Sequence, residues 1–79
     1  MVRNPSDSLR AMLADNIKAF RSKNGLSQEG LAELCGLHRT YIGSVERQER
    51  NVTLSTLEVL SAALEVSVPE LLSKQKSKR

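Results

Sequence analysis

Apolar residues recur along this chain at intervals of three and four positions, the spacing that places side chains on one face of an α-helix. The first face of this kind comprises Leu9, Met12, Leu13, Ile17 and Phe20. A second face lies in the C-terminal half and comprises Leu54, Leu57, Leu60, Ala63 and Leu64. Because the sequence lacks runs of β-branched residues, we predict an all-α fold.

Capping residues and glycines divide this pattern into five helices. Candidate N-caps precede them, in chain order, at Asn4, Ser27, His38, Thr53 and Ser67. Gly25 and Gly36 suit the left-handed conformation that ends a helix. We therefore predict helices over residues 5–23, 28–35, 39–46, 54–64 and 68–73. These helices form one domain, residues 1–73, and the basic tail 74–79 is predicted to be disordered.

The composition fits one small globular domain with an uneven charge distribution. The chain has 79 residues, of which 39% are apolar and 27% charged, and its formal net charge is +3. Residues 52–73 contain three glutamates and no basic residue, so one end of the domain suits phosphate groups and the other repels them. Phe20 and Tyr41 are the only aromatic residues, which argues against a module that stacks single-stranded bases.

The remaining chemistry of the sequence indicates no enzyme, no cofactor and no metal site. Cys35 is the only cysteine and His38 the only histidine, and we interpret them as a core thiol and a helix cap. No glycine-rich phosphate loop or nucleophile–base pairing is visible. The N-terminus lacks a secretory pattern and no apolar stretch could span a bilayer, so we expect a soluble, cytoplasmic protein.

The second and third predicted helices have the spacing of a helix-turn-helix, with Gly36 at the turn and the small Ala32 where the helices cross. Five apolar side chains of this unit point to a common core: Leu31, Cys35, Leu37, Ile42 and Val45. The exposed side of the third helix is then predicted to carry His38, Arg39, Thr40, Gly43, Ser44 and Arg47. In this docking mode, the N-terminal residues of the second helix of the unit meet base edges.

The chain resembles the lambda-repressor/Cro-type helix-turn-helix superfamily over about residues 9–72, and above all in "GLSQEGLAELCGLHRTYIGSVERQERNVTLSTLEVLSAALEVSVPELL", residues 25–72. Within that superfamily, "RTYIGSVERQERNVTL" and the small size are most similar to controller proteins of bacterial restriction–modification systems. The resemblance implies a five-helix fold and a DNA-binding transcriptional regulator. Two departures are Gly30, where an acidic residue is usual, and His38, where a better cap is usual.

The resemblance also implies roles for individual residues. Base reading is expected of Arg39, Thr40 and Ser44. Contact with the DNA backbone is expected of Gln28, Tyr41, Arg47, Arg50 and Asn51, of which Arg47 is assigned on its position alone. A structural ion pair is expected between Arg21 and Glu46.

A homodimer is expected because one such helix covers only a few base pairs. The homodimer is predicted to be symmetric and to form through the fourth and fifth helices, with Val66, Val68, Leu71 and Leu72 at the interface. The controller resemblance implies a palindromic operator near the protein's own promoter, with RNA polymerase as a further contact. The alternatives are a phage-type repressor, a DNA-binding antitoxin or, in a different class, a protein-interaction module that does not bind DNA.

Overall fold

The computed structural model describes residues 5–74, with side-chain environments from residue 8 onward. In this range the chain forms five α-helices: α1 (Pro5–Asn24), α2 (Gln28–Cys35), α3 (Arg39–Glu46), α4 (Leu54–Leu64) and α5 (Val68–Leu71). The predicted all-α fold is confirmed, as are the bounds of α2, α3 and α4. Helix α1 ends one residue later than predicted, and α5 ends two residues earlier, where Leu72 begins a turn. The predicted cap Asn4 and residues 75–79 of the predicted tail lie outside the described residues.

Local signals close the helix ends. Every N-cap of α2–α5 accepts a backbone N–H with its side chain, namely Ser27, His38, Thr53 and Ser67. At α5 the cap is reciprocal, because Ser67 Oγ accepts from the Glu70 N–H while Glu70 Oε1 accepts from the Ser67 N–H. Gly25 and Gly36 have φ of +63° and +69°. The two glycines therefore provide the left-handed residues that end α1 and α2.

The core draws on all five helices, and its buried side chains include Leu13, Ile17, Leu31, Ile42, Val45, Leu57, Leu60, Leu64 and Leu71. Helix α3 packs against both α1 and α2, so its inward face is fixed from two directions. Two residues of the predicted apolar faces are exposed, Leu9 at 44% and Leu54 at 79%. The prediction was wrong at Leu54 because the whole start of α4, from Thr53 to Ser55, is exposed.

Cys35 is half-buried against the core, and burial raises the pKa of its thiol. A thiol in this state is a weak nucleophile, in keeping with its interpretation as a core residue. Within residues 5–74, no helix has the length and apolar character needed to cross a membrane.

Asn16 of α1 ties the end of α5 to the rest of the domain. Its side-chain nitrogen lies 2.6 Å from the carbonyl oxygen of Leu71, 3.0 Å from that of Ser73 and 3.2 Å from that of Glu70. The last carbonyls of a helix have no partner within the helix. Asn16 therefore serves as a C-terminal cap supplied from a distant part of the sequence.

Replacing Asn16 by alanine should lower the free energy of unfolding by about 1–2 kcal/mol, because the carbonyls at the end of α5 lose their donor. Urea denaturation would measure the change. The matched control is Asp15→Ala, at the exposed neighbouring position of the same helix, which should change stability by less than about 0.5 kcal/mol. Equal effects of the two substitutions would contradict the capping role of Asn16.

Candidate nucleic-acid interface

The exposed start of α3 carries two of the side chains predicted to read bases. Arg39 and Thr40 are both exposed. His38 precedes them, and its Nδ1 accepts the Thr40 N–H at 3.4 Å, which closes the helix start. Both side chains thus lie at the end of the helix that enters the major groove in helix-turn-helix docking.

The opposite end of α3 is anchored by Glu46, which is 7% exposed. The Arg21 guanidinium donates from Nε to Glu46 Oε2 at 2.7 Å and from Nη2 to Oε1 at 2.8 Å. Gln28 Nε2 donates to the same Oε1 at 2.9 Å. Burial raises the pKa of Glu46, but the hydrogen bonds from Arg21 and Gln28 and the nearby positive charges outweigh it, so its pKa is lowered overall. This bidentate pair fixes α3 to α1.

Gly43 allows two long side chains to lie against the middle of α3. A Cβ at this position would lie 3.2 Å from Arg47 Nη1 and 3.3 Å from Gln28 Oε1. Gly43 is buried, so its predicted place on the exposed side of α3 is wrong; Gln28 and Arg47 cover it. The absence of a side chain here keeps the Gln28 amide close to α3 and Glu46.

Ser44 was also predicted on the exposed side of α3, and this placement is wrong, because Ser44 is only 7% exposed. Its hydroxyl donates to the Tyr41 carbonyl oxygen at 2.8 Å and accepts from Arg50 Nε at 2.8 Å. The Arg50 guanidinium also lies over the Tyr41 ring, 4.7 Å from its centroid. Ser44 and Tyr41 therefore hold the guanidinium of Arg50. The Ser44 hydroxyl already donates and accepts a hydrogen bond within the protein.

Two further residues predicted to contact the DNA backbone have partners of their own. Arg47 Nε donates to Glu49 Oε2 at 3.1 Å, and both side chains are exposed. Asn51 accepts a hydrogen bond through Oδ1 from a guanidinium nitrogen of Arg10 on α1. The exposed Arg47–Glu49 pair adds little to stability, so Arg47 can exchange Glu49 for another anion at small cost.

The structure thus brings most of the predicted contact residues to one helix and its flanks. Thr40 and Gly43 share one stripe of α3, which Arg47, the residue after the helix, continues, and Tyr41 and Ser44 share the next. The side chain of the α2 residue Gln28 reaches the first stripe, and that of Arg50 reaches the second. Amide and guanidinium donors beside a helix that carries arginine at its exposed start suit phosphates flanking a groove.

The residues predicted to form the dimer interface are largely covered by the rest of the domain. Leu71 is 1% exposed, which contradicts its prediction as surface, while Val66, Val68 and Leu72 are half-buried against the core. A groove of about 260 Å³ lies beside the exposed Leu9 instead. We call it the α1–α4 groove. It is lined by Leu9, Arg10, Leu13, Arg50, Asn51, Val52, Leu57 and Leu72.

Sequence reasoning missed three features of the site: the Arg10–Asn51 contact, the inward role of Ser44 and the cover over Gly43. A glycine inside a helix often marks a close approach by another group, so Gly43 carried a usable signal. The sequence gives no signal of the contact between Arg10 and Asn51, because 41 positions separate the two residues.

Two short helices joined at a left-handed glycine, with Arg39 and Thr40 at the exposed start of the second, define a helix-turn-helix protein. Residues 17–71 match the helix-turn-helix family. The chain belongs to this family, and the resemblance predicted from the sequence is confirmed.

The most similar relatives include controller proteins. The control protein C.SmaI of Serratia marcescens is 63% identical over 67 residues, covering 85% of this chain and 80% of that protein. The hypothetical transcription factor NHTF from Neisseria has a similar structure, with a TM-score of 0.79 and 49% identity over 85% of this chain and 75% of that one. The restriction-modification controller protein C.Esp1396I, solved as a tetramer with its natural 35 base-pair operator, matches with a TM-score of 0.68 and 37% identity, covering 82% of this chain and 96% of that one.

Proposed function

We propose that this chain is a sequence-specific DNA-binding transcriptional regulator, and in particular an autoregulatory controller of a restriction–modification operon. The observation that carries the proposal is the exposed pair Arg39–Thr40 at the start of an α3 whose other end is locked by Arg21 and Glu46. A reading helix must be held rigidly if its side chains are to discriminate between bases. The similarity to controller proteins, such as C.SmaI and C.Esp1396I, supports the assignment to controllers of restriction–modification operons. The proposed regulator acts in the cytoplasm, and the proposal assigns it no catalytic activity.

In this proposal α3 lies in the major groove. Arg39 donates two hydrogen bonds to a guanine, and Thr40 contacts a thymine methyl or a base edge. Arg50, held by Tyr41 and Ser44, donates to a phosphate, as does its neighbour Asn51. Gln28 lies against the other stripe of α3, and its amide, which donates one N–H to Glu46, offers its second N–H to another phosphate. In this proposal Ser44 does not read a base, as the sequence predicted, but orients Arg50 through their hydrogen bond.

The proposed regulator binds a palindromic operator near its own promoter as a homodimer, and we place the dimer contact at the α1–α4 groove. Leu54 is 79% exposed and lies one helical turn before Leu57, which lines that groove. A twofold axis would bring Leu54 of each copy to the groove of the other. In this dimer the interface also includes the exposed parts of three half-buried side chains, Val66, Val68 and Leu72.

Replacing Leu54 by serine should raise the dissociation constant of the dimer about tenfold or more, because a leucine buried in the interface is lost from each copy. Sedimentation velocity over a concentration series would measure it. Leu34→Ser is the control, since Leu34 is 56% exposed on α2, away from the groove. A monomeric wild-type protein at micromolar concentration, or equal effects of both substitutions, would contradict this interface.

The test of the function is selection of binding sites from a random duplex pool at about 150 mM salt, where non-specific binding through phosphate contacts is weakened. We expect enrichment of a twofold symmetric site with half-sites about one helical turn, ~34 Å, apart. Salt-sensitive binding without enrichment would refute sequence-specific regulation and favour the protein-interaction module.

A further inference from the structure

We infer that Arg10 is a positioning residue for DNA binding, which acts by orienting the side-chain amide of Asn51 towards a phosphate. The inference rests on the proposed function, because it assumes that Asn51 contacts the DNA backbone. It adds a residue of α1 to a binding surface otherwise built from α2, α3 and the segment that follows α3.

The hydrogen bond fixes which side of the amide remains available. A guanidinium nitrogen of Arg10 donates to Asn51 Oδ1. An asparagine side chain has one acceptor oxygen and an NH₂ group with two donors. With Oδ1 facing the Arg10 guanidinium, the NH₂ group on the other side of the planar amide is directed away from Arg10. A phosphate oxygen only accepts hydrogen bonds, so the orientation set by Arg10 is the one that can bind DNA.

The position of Asn51 explains why it needs such support. Asn51 is exposed and lies in the segment between α3 and α4, where no helical hydrogen bonds restrain it. An exposed asparagine would otherwise sample several rotamers and both amide orientations, and DNA binding would have to restrict them. Arg10 restricts them before DNA arrives.

Arg50, the residue before Asn51, is held in the same way from another direction. Its guanidinium is bonded to Ser44 and stacked on Tyr41, both on α3, whereas the amide of Asn51 is bonded from α1. Two consecutive donors are thus oriented by two different helices. This arrangement fixes the separation between the two groups and favours simultaneous contact with neighbouring phosphate oxygens.

Arg10 is half-buried and lines the α1–α4 groove together with Arg50 and Asn51. The partial burial of Arg10 reduces the competition of water for its hydrogen bond to Asn51.

A double-mutant cycle tests the inference with the full chain and the duplex obtained by selection. The four proteins are the wild type, Arg10→Met, Asn51→Ala and the double variant. Methionine keeps an unbranched side chain against the groove but removes the donors and the charge. We expect Arg10→Met to weaken binding about threefold to tenfold when Asn51 is present, the range for one ordinary hydrogen bond. In the Asn51→Ala background, it should weaken binding less than about twofold.

The cycle separates positioning from simple charge. If Arg10 merely attracts DNA, its removal will cost the same in both backgrounds and lower the salt dependence in each, which would overturn the inference. Full affinity of Arg10→Met would overturn it too. Arg10→Gln is carried through the same cycle, and circular dichroism verifies folding, so that a stability defect in one variant does not decide the result. If the wild type selects no site, the proposed function and this inference both fail; if it selects one and the losses add, only this inference fails.

Discussion

Replacing Arg21 by methionine should lower the free energy of unfolding by about 2–4 kcal/mol, somewhat less than removing one partner of a fully buried ion pair, because the Arg21 side chain is partly exposed. The side chain of Glu46 is 5% exposed and that of Arg21 is 22% exposed. Without the guanidinium, the Glu46 carboxylate keeps, among the described residues, one hydrogen bond, from Gln28. A domain of this size has a total stability of roughly 4–12 kcal/mol, so the loss would unfold a measurable fraction of the protein. Urea denaturation followed by circular dichroism measures it.

The double variant Arg21→Met with Glu46→Gln is the matched control. It removes both charges and leaves no buried carboxylate, so it should be clearly more stable than Arg21→Met alone. The same stability in the two variants would show that Arg21 contributes through packing of its side chain, not through its charge.

The ion pair also predicts a pH dependence. The pKa of Glu46 in the folded protein is below its ordinary value of 4.5. A carboxyl with a lowered folded-state pKa adds stability that is fully present above the unfolded-state pKa and is lost as the pH falls through the folded-state value. Wild-type stability should therefore decline below about pH 4.5, and that of Glu46→Gln should decline less. Urea denaturation of both proteins at a series of pH values tests this, and parallel curves would contradict it.

Replacing Arg39 by alanine should cost about 1–3 kcal/mol of binding free energy at one base position and relax specificity there. The loss should be largest on the selected sequence and small on a duplex in which that base pair is changed. Competition binding with the four base pairs at each position of one half-site would measure it. The expected pattern follows from bidentate hydrogen bonding, which only one base pair can satisfy fully.

Arg50→Ala is the comparison for Arg39→Ala, because it also removes one exposed arginine but from a proposed phosphate contact. It should weaken binding to all sequences alike and reduce the slope of log affinity against log salt by about one. If both substitutions weaken binding to all sequences equally and leave the base preference unchanged, the assignment of Arg39 to base reading and Arg50 to phosphate contact is contradicted.

The positions of the helices could be predicted from the sequence because their signals are local. Ser27 and Ser67 accept N–H groups three residues further along, and Gly25 and Gly36 end helices in the left-handed conformation. Each of these features depends on residues within about one helical turn. For the same reason the helix-turn-helix spacing and the exposed Arg39 at the start of α3 could be recognised without coordinates.

The side chains covered by distant elements could not be predicted in this way. Ser44 lies on α3 at a position that helical periodicity leaves at the edge of the exposed face, and Arg50 and Tyr41 determine that it is buried. Leu54 has the spacing of a core residue, but its side chain is 79% exposed because nothing in the described part of the chain covers it. Arg10 meets Asn51 only because α1 packs beside the segment between α3 and α4 in the folded protein. Caps and periodicity reflect neighbours along the chain, whereas burial and hydrogen-bond partners of these side chains depend on which helices pack together in space.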